Sequence, residues 1–147
     1  MNLLIPYVYI YNHPDPLFEE YAYGDAGPRG RKLKKLKKGD YVFFHTSTRN
    51  RKYITAYYVV DRVIDTPEAV KDRNIMNKFN HPHLKEYLDP KEVKLENDCV
   101  LFGDPILSRI LDKPLLFDKS LAEKLTLNIN FSENRTETQT IGSATRS

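Results

Sequence analysis

The chain has 147 residues, a net charge of +3, 40% hydrophobic and 29% charged residues, one cysteine and no tryptophan. That length predicts a single domain over residues 1–147, with enough apolar residues to bury a core and too many for a disordered chain. The lone Cys99 excludes an internal disulfide and a multi-cysteine zinc site, no window approaches the roughly 18 apolar residues of a membrane span, and a surplus of +3 does not by itself argue for nucleic acid.

Leu3 to Tyr11 alternates like a strand, with Tyr7, Tyr9 and Tyr11 on one face. Pro14 and Pro16 end it, because proline removes a ladder donor and fixes φ. Residues 17–30, LFEEYAYGDAGPRG, read as an irregular aromatic loop. Arg31 to Lys38 suits about two helical turns, with Leu33 and Leu36 inward and the lysines outward. Gly39-Asp40 stops that helix. Tyr41–Thr46 and Tyr53–Ile64 read as two strands joined by a polar, basic turn. Thr66-Pro67-Glu68 predicts a capped helix to about Asn77, and Asn80-His81-Pro82 opens a surface turn to Tyr87. Val100–Gly103 and Ile106–Ile110 read as short strands around Asp104-Pro105. Asp118 caps a helix to about Leu125, and Leu127–Phe131 is a last strand. The tail ends in IGSATRS without a polar run-out, which predicts that the chain is cut from a longer protein. Strands outnumber short helices, so the expected class is α+β: a small, mostly antiparallel barrel or curved sheet with helices outside.

Charge distribution says more than net charge. Arg29, Arg31, Lys32, Lys34, Lys35, Lys37 and Lys38 fall within ten residues that contain no acid, and Arg49, Arg51 and Lys52 follow at the hairpin turn. Such a face binds phosphates by releasing counterions. Ten tyrosines and seven phenylalanines offer flat faces on which bases stack. A pocket for one unstacked base also needs donors and acceptors for its edge. The cluster His45-Thr46-Ser47-Thr48 supplies them, with Asp104 as a further acceptor and Phe102 as a stacking face. Gly142 to Arg146 is a candidate phosphate cradle. The candidate base pocket is thus Tyr11, Tyr23, His45, Thr46, Ser47, Phe102 and Asp104. The candidate phosphate contacts are Arg29, Arg31, Lys34, Lys35, Arg49, Arg51, Lys52 and Arg146. Cys99, within the apolar run CVLF, reads as core.

Enzyme signatures are missing from the sequence. There is no G-x-S-x-G elbow, P-loop or G-x-G-x-x-G. His81 and His83, two apart with a proline between, do not converge on a metal. No catalytic residue, cofactor or metal is therefore expected, and the N-terminus lacks a signal peptide's basic n-region and cleavage site, which points to the cytoplasm.

The run KKGDYVFFHTST, then a basic loop, then YITAYYVVDRV, resembles PUA-like domains of the EVE, YTH and ASCH branch. The resemblance covers about residues 32–65. It implies a small β-barrel that binds RNA or takes a modified base, flipped out of DNA, into a pocket. Related domains include readers in modification-dependent restriction systems, such as N-terminal target-recognition domains of McrB-type GTPases, which would make a fused nuclease or GTPase the partner. YTH readers hold a methylated base in a tryptophan cage. This chain has no tryptophan, so a cage here must use tyrosine or phenylalanine, with Tyr11, Tyr21 and Tyr23 as candidates. ASCH-like relatives imply a second reading, hydrolysis of modified nucleosides, with Lys52 or Asp104 in the pocket. A third reading is a protein-interaction module using the loop 17–30. The nucleic-acid reading requires a curved sheet that brings the hydroxyl rim of the hairpin beside the lysine-arginine flank.

Overall fold

The computed structural model describes residues 1–6 and 17–125. Its described part is a mixed α+β domain: one six-stranded sheet and five short helices. The strands are β1 (Asn2–Pro6), β2 (Ala22–Asp25), β3 (Tyr41–Thr48), β4 (Arg51–Asp65), β5 (Cys99–Gly103) and β6 (Arg109–Leu116). The helices are α1 (Gly27–Leu33), α2 (Thr66–Ala69), α3 (Arg73–Lys78), α4 (Pro82–Tyr87) and α5 (Lys119–Lys124). The strand order is β1-β3-β4-β5-β2, with β6 also paired to β4. Every described pairing is antiparallel except β1 with β3. Among the described residues β1 and β2 do not pair with each other, so the sheet is open there.

β4 organises everything else. Its first part pairs with β3 on one edge and β6 on the other, and its last part pairs with β5. The turn from Asp104 to Ser108 marks the changeover: Asp104 N–H donates to Val59 O (2.7 Å), and Val59 N–H donates to Ser108 Oγ (3.0 Å). Thr55 is an extra residue, because Phe44 pairs with Ala56 while the next residue, His45, pairs with Ile54. This bulge sends Ile54 and Ala56 to opposite faces and bends the strand. A second register shift at Asp61 bends it again.

Three apolar clusters follow from the alternation. Phe44, Ala56, Tyr58, Val60, Cys99, Leu101 and Tyr23 share one face, closed by Leu33 and Leu36. On the other face of β2 and β5, Ala22, Val100 and Phe102 meet Ala69, Ile75 and Leu84 from α2–α4. On the other face of β3 and β4, Phe43 and Ile54 meet Phe117 and Ala122. The aromatic residues are divided accordingly. Phe44 packs edge-on to Tyr58 (4.5 Å) and Tyr23 (5.6 Å) in the first cluster, whereas Tyr41 stacks on Phe43 (5.8 Å) on the far side.

Several sequence expectations need correction. Residues 17–30 are not an irregular loop: they contain a 3-10 turn, β2 and the start of α1. The helix begins at Gly27, with Pro28 in its first turn, and ends at Leu33; Lys34 to Lys38 form turns. Asp40 shapes the last turn by accepting from Lys37 N–H (2.7 Å), which holds its carboxyl below the usual carboxylate range. The helix expected from Thr66 to Asn77 is two helices. Asp72 accepts from the Asn74 and Ile75 N–H groups and starts α3 afresh. The strand expected at 106–110 starts at Arg109, because Asp104 accepts from Ile106 N–H (2.8 Å) and Leu107 N–H (3.1 Å) and curls the chain first. His81 is buried, not on a surface turn, and its Nδ1 caps α4 by accepting from His83 N–H (3.1 Å). The expected cap at Asp118 is present, accepting from Leu121 N–H (2.9 Å). Cys99 is core, and burial pushes its thiol up to about 12. The expected strand at 127–131 lies outside the described residues, as does the strand's continuation from Tyr7 to Tyr11. No described helix is long and apolar enough to cross a membrane.

Candidate nucleic-acid interface

The β3–β4 hairpin closes through Arg49 and Asn50, both with positive φ (51° and 62°). Two positive-φ residues give the turn that matches strand twist. Asparagine accepts this readily. Arginine does so at a cost of about 1–2 kcal/mol, since its Cβ crowds the following carbonyl. The turn thus places an exposed arginine at the outermost point of the hairpin.

Thr46 pairs with Tyr53, and Thr48 with Arg51, across the hairpin. Paired residues share a face, so Thr46, Tyr53 and Arg51 project to one side. Pro114 of β6 approaches from the neighbouring edge. Together Thr46, Arg49, Arg51, Tyr53 and Pro114 line an open cavity of about 760 Å³. It offers an aromatic face, a hydroxyl and two guanidinium groups. Neither Arg49 nor Arg51 has an acidic partner among the described residues. Its size falls within the range of small-ligand pockets, about 300–1,000 Å³.

The polar run His45-Thr46-Ser47 is split by the same alternation. His45 and Ser47 project opposite to Thr46, with Lys52 and Ile54. Ser47 is exposed and accepts a hydrogen bond from Lys52 Nζ. His45 is 1% exposed, and neither ring nitrogen has a hydrogen-bond partner among the described residues. Burial, and secondarily the charge of Lys52, lower its pKa to about 4. His45 therefore stays neutral near pH 7 and does not line the cavity.

Of the other candidate pocket residues, Tyr23 is core and donates to Asp25 Oδ2 (2.6 Å). Phe102 is buried beneath Phe79 (4.5 Å), with the Arg62 guanidinium 5.4 Å from its ring centre. Asp104 closes the β5–β6 turn. Tyr21 packs edge-on to Tyr58 (5.8 Å). Tyr11 and Arg146 lie outside the described residues. Lys52 and Asp104, the pair named for hydrolysis, are engaged in separate places, and neither lines the cavity. The stretch 17–30, named as a protein-docking loop, buries Ala22, Tyr23 and Gly24.

Contrary to the sequence expectation, the hydroxyl rim of the hairpin does not lie beside the lysine-arginine segment 29–38. The two basic groups occupy opposite ends of β3, and only the hairpin's own basic residues flank the rim. Lys34 pairs with Asp65 (2.9 Å), Lys38 with Asp61 (3.6 Å), and Gly39 N–H donates to Val60 O (2.9 Å). The basic segment thus sits at the far end of β4 and the start of β3. Arg49 and Arg51 sit at the other end of β3, whose eight residues span about 26 Å at 3.3 Å each.

Sequence reasoning missed Tyr53 and Pro114 as cavity residues. Tyr53 was legible in part, because it pairs with Thr46 once the hairpin turn is placed at Arg49-Asn50. Pro114 had no local signal. It also missed a buried polar group beside a second cavity of about 300 Å³. There His83 Nε2–H donates to Asp98 Oδ1 (2.6 Å), which also accepts from Thr66 Oγ1 (2.5 Å). Among the described residues no cluster of three His, Cys, Asp or Glu forms a metal site. No protein-family model, curated protein or solved structure matches the chain.

Proposed function

We propose that this chain is a nucleic-acid-binding domain that receives one nucleotide, a modified base in particular, in the cavity at the tip of the β3–β4 hairpin. In this reading Tyr53 stacks on the base, Thr46 meets its edge, and Arg49 and Arg51 hold the flanking phosphates. The bent six-stranded sheet would belong to a PUA-like barrel, in line with the resemblance of residues 32–65. The observation that carries the reading is the meeting of Thr46, Arg49, Arg51 and Tyr53 around one cavity. An aromatic face with a hydroxyl and two guanidiniums that lack acidic partners among the described residues is a combination that suits an unstacked nucleotide. It requires no cofactor.

The test is an anisotropy panel of unmodified, methylated and hydroxymethylated DNA and RNA, single- and double-stranded, against the wild type and Tyr53→Ala. We expect at least one modified oligonucleotide to bind about tenfold or more tighter than its unmodified form. Tyr53→Ala should lose about 1–3 kcal/mol, the value of one stacked base. Equal affinity for every modified and unmodified oligonucleotide would remove the base-reading half of the proposal. No binding to any of them at low salt would remove all of it.

A further inference from the structure

The basic segment at the far end of β3 is not used by the hairpin cavity, yet it is built as an exposed cationic surface. Arg29, Arg31, Lys35 and Lys37 are exposed, and none has an acidic partner among the described residues. Their neighbours Lys34 and Lys38 are tied to Asp65 and Asp61 on β4. Those exposed pairs add little by themselves; the backbone bonds between Gly39, Asp40 and Val60 hold the segment to the strand. Leu33 and Leu36 anchor it in the core from the other side. The result is a rigid cationic shoulder held at a set distance from Arg49 and Arg51 by β3.

We infer that this shoulder is a second phosphate-contact zone, and that the partner is a duplex long enough to reach both zones at once. The inference rests on the nucleic-acid reading above and extends it. Charge complementarity selects a polyanion, and unpaired exposed guanidinium and ammonium groups gain most from phosphate by releasing counterions. The spacing selects a length. About 26 Å along β3 corresponds to roughly eight base pairs at 3.4 Å per pair. A shorter duplex touches one zone; a longer one touches both. The two contacts then reinforce each other, because the second forms at a high effective concentration once the first is made.

The probes are unmodified DNA duplexes closed by a hairpin loop, of about 6, 10 and 16 base pairs, titrated by anisotropy at several salt concentrations. The wild type should gain about tenfold or more in affinity between the shortest and the longest probe, beyond the few-fold statistical gain from extra registers. Its salt slope should steepen by about 2–4 over the same range. The triple substitution Arg31→Gln, Lys35→Gln, Lys37→Gln should abolish both changes and leave the shortest probe's affinity intact. These side chains are exposed, so the fold should be unaffected, which circular dichroism and Tm would verify. A length gain that survives the triple substitution would overturn the inference, as would equal affinity and slope for short and long probes. If short probes bind in an Arg51-dependent way without a length gain, the second zone fails alone. If no probe binds at any length, the second zone fails, and the nucleic-acid reading is then decided by the modified DNA and RNA panel above.

Discussion

The hairpin tip and the helical layer formed by α2–α4 use polar residues in opposite ways. In the helical layer, polar groups hold elements together. His83 and Thr66 both bond to Asp98, the His81 ring caps α4, and Asp72 caps α3. At the tip, Arg49 and Arg51 face an open cavity without acidic partners among the described residues, and the turn places an arginine at a positive φ that glycine would adopt without strain. Unpaired charge beside a cavity suits binding, whereas bonded polar networks suit folding. Positive φ does not separate the two regions, since Tyr21 (51°) and Asn97 (56°) also carry it in the scaffold. The α2–α4 layer therefore reads as structure and the tip as the proposed binding site, although that layer contains the histidine–aspartate pair that looks more like chemistry.

Substitutions should separate the two regions. The largest effects belong to the scaffold around the α2–α4 layer. A Cβ at Gly30 would lie 2.0 Å from the Asn97 carbonyl oxygen, and one at Gly24 2.2 Å from the His83 ring. The backbone contact leaves Gly30→Ala nowhere to go, so it should cost about 3 kcal/mol or more in denaturant unfolding. Gly24→Ala must push His83 away from Asp98 and should cost somewhat less. Gly24→Ala should not alter nucleic-acid affinity per folded molecule, whereas Gly30→Ala shifts Arg29 and Arg31 of the second phosphate zone and does not serve as that control. A loss of affinity without a loss of stability in Gly24→Ala would blur the division.

His45 gives the next effect, and it depends on pH. Its native pKa of about 4 lies below the usual 6.5. Above about pH 6.5 both folded and unfolded states are neutral, and the residue imposes no penalty. As the pH falls, the unfolded chain takes up the proton first, so stability drops across the window down to about pH 4. The full deficit is on the order of 3 kcal/mol. His45→Leu should flatten that part of the stability–pH curve. An unchanged curve would mean that the imidazole is not held neutral.

Asp98→Ala should cost about 2 kcal/mol, since it strips a partner from both His83 and Thr66. Arg49→Gly should do the reverse of all these. It relieves the positive φ and should stabilise the protein by roughly 1 kcal/mol while weakening nucleic-acid binding. A variant that gains stability and keeps full affinity would show that the strained arginine has no part in binding.

Much of the fold was legible because it rests on local chemistry. The β3–β4 hairpin, the Asp118 cap and the buried Cys99 follow from alternation, capping residues and apolar runs. β2 was not legible, because its four residues include a glycine whose role depends on His83, far along the chain. The same holds for Tyr23 and Phe102: Phe44 of β3 packs on the first and Phe79, just after α3, on the second. Of the base-pocket candidates among the described residues only Thr46 lines the cavity, joined there by the phosphate candidates Arg49 and Arg51. Strand alternation sends His45 and Ser47 to the other face, and that follows from the period of two alone. The separation of the two basic groups was also available in principle, since a strand of eight residues cannot bring its ends together.

The central claim is that the tip cavity is where nucleic acid binds. It is tested most directly by comparing the salt dependence of duplex binding for the wild type and for Arg49→Ala/Arg51→Ala. The account predicts an unchanged Tm, weaker binding, and a log K against log [salt] slope shallower by about 2, one for each lost phosphate contact. The same affinity and slope in the double variant as in the wild type would contradict it.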